Sequence, residues 1–456
     1  MEGLKLKKEA EMPDVVGKEL PHLWNAMHRY HPGAQQMVAA SGEGSWFTDE
    51  SGNRYLDGVS GLWCLNLGHG RQEIIDAATA QMKKLTYFPL TMSHNPAVKL
   101  ANKISSLLGG GYQTFFSNSG SEANETAFKI VRQYHKQTGN PDKFKIISRY
   151  RAYHGSTLGA LSATAQANRR VKYDPGVPGF LHVYPPYHYR SIFGGEPEES
   201  DLKAAQLIEE MINWEGEETV AALIMEPFIS GGGVIIPSMQ YIQRVAEICK
   251  KYNVLLIMDE VVSGYGRTGK MFGFMHAEGV QPDIITMAKG LTSGYLPLGA
   301  TAVKSNIYDV FKEEGKDNHF RHVSTYGGHP AACAVALKNI EIIENENIVE
   351  RVNELGKSKL SQLHQLMEHE NVGEVRQIGF LLGLEMVTDQ KSKVPLEDSK
   401  MAEIVSKCKK KGLIIGRNGD TVPGQNNVII IAPPLSSTEE DLDFLVETVE
   451  SVICSV

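Results

Sequence analysis

No apolar run in this chain approaches the roughly 20 residues that a helix needs to cross a bilayer, so a membrane-spanning helix is excluded from the reading. Basic charge is not in excess either: 46 Lys and Arg stand against 54 Asp and Glu, a net charge of −8. With a pI near 6.0, the chain lacks the basic clusters that a general affinity for nucleic acid or anionic lipid requires. Cysteine is sparse. Cys64, Cys249, Cys333, Cys408 and Cys454 are odd in number and widely spaced. They form no paired zinc or redox motif and read as reduced thiols of a cytoplasmic protein. No two histidines flank a glutamate at helical spacing, so no metal site is expected. The segment Met1–Asp14 mixes lysines with glutamates and lacks the apolar core of a secretory signal.

What is present is enough chain, 456 residues, to outgrow a single core, which predicts a large domain with a smaller companion. The middle of the sequence alternates short apolar runs with amphipathic stretches: an apolar run ending at Lys145–Ser148, then Val220–Met225, Val254–Met258 and Asp283–Met287 as strands, with helical spacing over Ile242–Lys251. That rhythm is the one of an α/β protein with a mainly parallel sheet covered on both faces. Before about residue 70, turn residues divide the chain into small strands such as Gly44–Phe47 and Asn53–Leu56. A helix over Ala332–Asn345 leads into a C-terminal region containing the strand Val428–Ile431. The expected division is an N-terminal segment, 1–70, packed with a small α+β domain at 336–456, and a large domain over 71–335.

Three weak signals converge. Asp259 and Glu260 follow the strand Val254–Met258, at the carboxyl end where open parallel sheets bind ligands. Buried there, one of them needs a cationic partner. Lys289 stands where the strand Asp283–Met287 gives way to a Gly-containing turn. A lone lysine is almost always a solvated charge, but a desolvated one loses basicity and can form a Schiff base with an aldehyde. Phe115–Asn124 runs from a strand end into a helix, with Ser119 and Glu122 spaced as a capping box. Small residues at a helix start suit a phosphate monoester. A phosphate cradle, an aldehyde-trapping amine and a strand-end carboxylate together meet the needs of one cofactor, pyridoxal 5′-phosphate.

Taken in order, Asn118–Asn124 (NSGSEAN), Tyr153-His154-Gly155, Met225-Glu226-Pro227, Asp259-Glu260-Val261 and Lys289-Gly290 closely resemble the class III pyridoxal-phosphate aminotransferases, over nearly the full length. The resemblance implies the aspartate-aminotransferase fold (fold type I) and a homodimer with its site at the subunit interface, the pairing of dimers into tetramers being left open. It implies that Lys289 carries the cofactor and moves protons, and that Asp259 pairs with the pyridine nitrogen. Ser119, Gly120 and Ser121 would bind phosphate, Tyr153 and Val261 would flank the ring, and His154 and Glu226 would complete the cofactor site. Thr325 would reach the phosphate of the neighbouring subunit.

For substrates, Gly61-Leu62-Trp63 and Gly416-Arg417-Asn418 resemble the omega-amine:pyruvate subgroup. There Trp63, with Tyr153, would wall the amine, with Phe88 a further candidate for that wall, and a mobile Arg417 would take the carboxylate of a keto acid through two parallel hydrogen bonds. Trp24 and Tyr150 are further wall candidates, though such aromatics more often belong to a core. The expected reaction moves an amino group from an omega-amine or amino acid to pyruvate by a ping-pong route. Ser156 stands where the diaminopelargonate-forming branch usually has aspartate, which disfavours that alternative without removing it. Taurine, β-alanine and GABA-type donors, a lyase or decarboxylase on the same scaffold, and a silent cofactor-binding regulator also remain open at this stage.

Overall fold

In the computed structural model, residues 22–27, 36–314, 317–419 and 421–456 are described. The charged segment Met1–Asp14 lies outside them. The apolar runs Val220–Met225, Leu255–Asp259 and Ile284–Met287 are buried at every position. A strand hidden on both faces belongs in the interior of a parallel sheet. They form the centre of a seven-stranded sheet in the order Tyr112–Ser117, Gly299–Lys304, Ile284–Met287, Leu255–Asp259, Val220–Met225, Lys145–Arg149, Phe180–Val183. Gly299–Lys304 runs antiparallel to both its neighbours, and the other pairings are parallel.

The expected strand Val254–Met258 is displaced by one residue, so Asp259 is the last residue of the strand and pairs with Thr286. The expected helices run longer at their starts, as Met239–Lys251 and Pro330–Asn345, because Ser238 and His329 cap them with side chains that accept backbone N–H groups. The helix Pro330–Asn345 packs on Gln72–Lys84 and Asn95–Leu107, and Pro197–Glu215 packs on Met239–Lys251. Among the described residues no helix is long and apolar enough to cross a membrane.

A second, antiparallel sheet takes the order Val372–Ile378, Leu381–Met386, Val428–Ile431, Gly416–Arg417. The small strands near the start are Ala39–Glu43, Trp46–Asp49 and Arg54–Asp57. The last pairs in parallel with Leu413–Ile414, in the register Leu413↔Leu56 and Ile414↔Asp57. Trp46 Nε1 donates to Asp441 at 2.7 Å, and Ser45 and Ser437 hydroxyls meet at 2.8 Å. The turn at Ser45 and Trp46 is thereby fastened to the start of the helix Glu439–Ile453.

Candidate active site

Register brings the candidate residues together. Met225 pairs with Met258 and Asp259 with Thr286. Glu226, Asp259 and, three residues beyond Thr286, Lys289 therefore leave the sheet along one carboxyl edge.

Asp259 is 3% exposed. Its Oδ2 accepts from His154 Nδ1 at 2.8 Å and Asn124 Nδ2 at 2.9 Å, while Oδ1 accepts from the Val261 N–H at 3.1 Å. Where a cationic partner was expected stands a histidine, itself buried, whose Nε2 has no partner among the described residues. Three donors fix the carboxylate, and Oδ1 keeps a lone pair for a fourth. Glu260 turns the other way and accepts from Ser263 Oγ and from the N–H groups of Gly273 and Phe274 at 2.7–2.9 Å. Its burial pushes the carboxyl up to about 7.

Lys289 has φ +39°, in the left-handed region. Its ammonium lies 4.9 Å from the centre of the Trp63 ring. Burial, set against the pull of Cys64, Asp259 and Glu226, lowers its pKa from the ordinary lysine value. Trp63 is also left-handed, with φ +57°. It follows a turn in which Asp57 accepts the N–H groups of Val59 and Gly61 at 3.2 and 2.6 Å. Glu226, 4% exposed, accepts from the N–H of Tyr153 at 3.2 Å and of Ser230 at 3.0 Å. Burial raises its pKa.

Ser119 caps the helix Gly120–Gln137 by accepting the Glu122 N–H at 3.2 Å. The expected capping box is only half made: Glu122 Oε2 accepts the N–H of Asn118 at 2.8 Å, one residue further out. The same carboxylate oxygen accepts from Ser324 Oγ at 3.2 Å, which fastens the turn holding Thr325 to the helix start. A Cβ on Gly120 would come within 2.9 Å of Val261, so only glycine allows that approach. Ser121 Oγ accepts the Ser156 N–H at 3.1 Å. Of this first turn, the Glu122 N–H is taken by Ser119, while those of Gly120 and Ser121 have no intrahelical acceptor, an arrangement that suits an anion.

Other candidates stand apart. Thr325 is exposed, its carbonyl accepting from Tyr87 Oη at 2.8 Å. Phe88 is half-buried in the loop beside that turn, and among the described residues no ring contact joins it to Trp63 or Tyr153. Tyr150 is half exposed against His182, 5.5 Å between rings, and Trp24 is 98% exposed. Arg417 faces Ile429 across its strand pair, whereas Trp63 packs on the cluster holding Val428 and Ile430. Arg417 therefore springs from the opposite face. It pairs with Asp398 and donates from Nε to the Asn426 carbonyl at 2.6 Å.

Sequence reasoning gave no role to Asn124, whose amide also donates to the His154 carbonyl at 2.6 Å. An amide among Ala123, Ala127 and Phe128 on the buried helix face was the available signal. Arg169, over the Tyr153 ring at 5.0 Å, left none, because an Asn-Arg-Arg run reads as surface.

Residues 29–453 match the model of the class-III aminotransferase family. The chain is 52% identical over 451 residues to an uncharacterised aminotransferase of Bacillus subtilis (strain 168), covering 99% of both chains. It is 39% identical over 447 residues to a taurine–pyruvate aminotransferase of Bilophila wadsworthia, covering 97% of each. Among solved structures, an amine transaminase from an uncultivated Pseudomonas species in a PLP-bound form superposes with a TM-score of 0.91 at 33% identity, over 96% of this chain and 99% of that one.

Proposed function

The chain belongs to the class III aminotransferases, fold-type-I enzymes that use pyridoxal phosphate to move amino groups, and from that premise we propose that its substrates are an amine lacking an α-carboxylate and pyruvate, used in turn at one site. The taurine–pyruvate relative supports pyruvate as acceptor and an aminosulfonate among the donors.

The cofactor supplies, when bound, an electron-accepting ring beside the reacting carbon. Lys289 holds it and shuttles protons at Nζ; the desolvation that lowers its pKa leaves a larger share of the amine neutral and able to accept one. Asp259 would hold the ring nitrogen through its remaining Oδ1 lone pair, and His154 with Asn124 keeps that carboxylate in line. Ser119, Gly120 and Ser121 take the phosphate. Tyr153 and Val261 would flank the ring, and Glu226 steadies Tyr153 through its N–H.

Trp63 and Phe88 would wall the amine, and Arg417, on the edge strand of its sheet, would leave Asp398 and reach round that edge from the face opposite Trp63 to take the carboxylate of pyruvate. The exposed Thr325 serves the phosphate of a second subunit, which makes the working unit a homodimer. The cytoplasm as location and the three-part division at residues 70 and 335 belong to the same reading.

The feature that supports this function most directly is the meeting, at one sheet edge, of a carboxylate fixed by three donors and a desolvated lysine that forms no ion pair among the described residues. Its test is the visible absorption of the purified holoenzyme during sequential additions. The band should bleach with an amine donor and return with pyruvate; return only with 2-oxoglutarate would replace the acceptor.

A further inference from the structure

Arg169 is a guanidinium near Tyr153 and Gln166 that no carboxylate among the described residues answers. Its Nε donates to Gln166 Oε1 at 2.8 Å. Gln166, 1% exposed, is fixed in turn by donating from Nε2 to the Arg151 carbonyl at 2.9 Å. The guanidinium carbon lies 5.0 Å from the centre of the Tyr153 ring. Nη1 reaches only the sulfur of Met27, at 3.7 Å. Among the described residues no ion pair includes Arg169, whereas Arg71, Arg190, Arg376 and Arg417 are each paired with an acid.

Its location follows from a chain of contacts. A Cβ added at Gly231 would lie 3.4 Å from the Trp63 ring and 4.0 Å from Gln166 Nε2. Trp63 and Gln166 therefore both border Gly231, and the Lys289 ammonium lies 4.9 Å from the Trp63 ring. Lys289, Trp63, Gln166, Arg169 and Tyr153 run round one cleft. The positive charge of Arg169 is felt at Lys289, as a lesser contribution than burial to its lowered pKa.

We propose that Arg169 binds the anionic end of the amine donor, a carboxylate or sulfonate remote from the amino group, and so selects ω-amino acids and aminosulfonates over neutral amines. The proposal rests on the aminotransferase reading of Lys289 and Tyr153. A guanidinium held through Nε and laid on an aromatic face keeps its plane, while its Nη edge stays free for two parallel charge-assisted bonds. Among the described residues no acid has to be displaced first. Arg417 differs in this respect, since the acceptor's carboxylate must draw it away from Asp398. The two arginines thus divide the work: Arg169 receives the donor anion and Arg417 the keto acid.

The test uses the holoenzyme as wild type, Arg169→Gln, Arg169→Lys and Arg417→Ala. Isothermal calorimetry with 1-propanesulfonate, which has no amine to react, reads the anion site without turnover. Arg169→Gln should weaken binding about tenfold or more, and Arg169→Lys should recover part of it. In the donor half-reaction, Arg169→Gln should lower the rate constant over apparent affinity for taurine and β-alanine by about 10- to 100-fold, far more than for butylamine. Equal losses for charged and neutral donors, or propanesulfonate binding lost only in Arg417→Ala, would overturn the proposal. A wild-type enzyme that reacts with no amine would instead sink the donor reading, and Arg169 would stand or fall by calorimetry alone.

Discussion

Lys289 combines two costs that a structural lysine would not bear: a left-handed backbone and a desolvated amine. Strain of this kind costs on the order of 1–3 kcal/mol and persists where the surroundings impose it. Replacing Lys289 with alanine should leave a folded protein that still retains cofactor through the helix start, with turnover reduced to background. Turnover near wild type in that variant would remove Lys289 from the chemistry. Glu260 offers a second residue-level test. Its folded pKa of about 7 exceeds its ordinary 4.5. Between those values the folded protein keeps a proton that the unfolded chain has lost. The stabilisation is therefore complete below 4.5 and disappears as pH rises through about 7. Thermal melts between about pH 5 and pH 8 should show stability falling with pH, with a shallower fall in Glu260→Gln. That variant should also melt lower throughout, by about 1–3 kcal/mol, because an amide has one acceptor oxygen for three donors. An unchanged slope would show that another group titrates there.

At the scale of elements, the start of the helix Gly120–Gln137 is set by its neighbours as much as by its own cap. Gly299 pairs with Ser117 in the adjoining antiparallel strand, and a Cβ there would stand 2.3 Å from the Ser119 carbonyl. The obstacle is backbone, so the whole cap has to move. Gly299→Ala should cost about 1–3 kcal/mol and speed cofactor loss on dialysis, whereas Ser119→Ala should cost only about 1 kcal/mol for the lost cap bond. A Gly299→Ala protein with wild-type melting and cofactor retention would show that the cap tolerates displacement. The half-made capping box belongs here as well. The S-x-x-E spacing was legible, but the neighbouring Ser324 draws the Glu122 carboxylate outward, and no local pattern contains that residue.

Across the whole molecule, Arg267 is a joint between distant parts of the chain. It is fully buried, donating to the Phe380 and Pro433 carbonyls, to Ser60 Oγ and to Asn66 Oδ1. Burial lowers its pKa to about 9. Its donors fasten the early turn that precedes Trp63 to the C-terminal region, beside the parallel pairing of Arg54–Asp57 with Leu413–Ile414. Arg267→Leu should lower stability by at least about 2 kcal/mol, because several buried acceptors lose their donor. It should also slow amine reaction by loosening Trp63. Unfolding followed by circular dichroism and the donor half-reaction would check both; a variant within about 0.5 kcal/mol of wild type would show the joint to be dispensable.

The sequence by itself made legible the central sheet, the serine-capped helix start and the placement of Asp259 and Lys289 at strand ends. Those depend on local properties: apolar runs buried on both faces, a capping serine, and functional groups placed directly at strand ends. It also fixed the family, through motifs whose order and spacing are linear facts. Only the tertiary structure decided which group meets Asp259, a histidine and an amide from two other segments. It alone decided that Arg417 rests on Asp398 across the sheet from Trp63, and that Arg169 lies over Tyr153 unopposed. Strand register, and the side-chain face it dictates, depends on partners far away in sequence. A guanidinium in a polar run looks the same whether it faces solvent or a cleft.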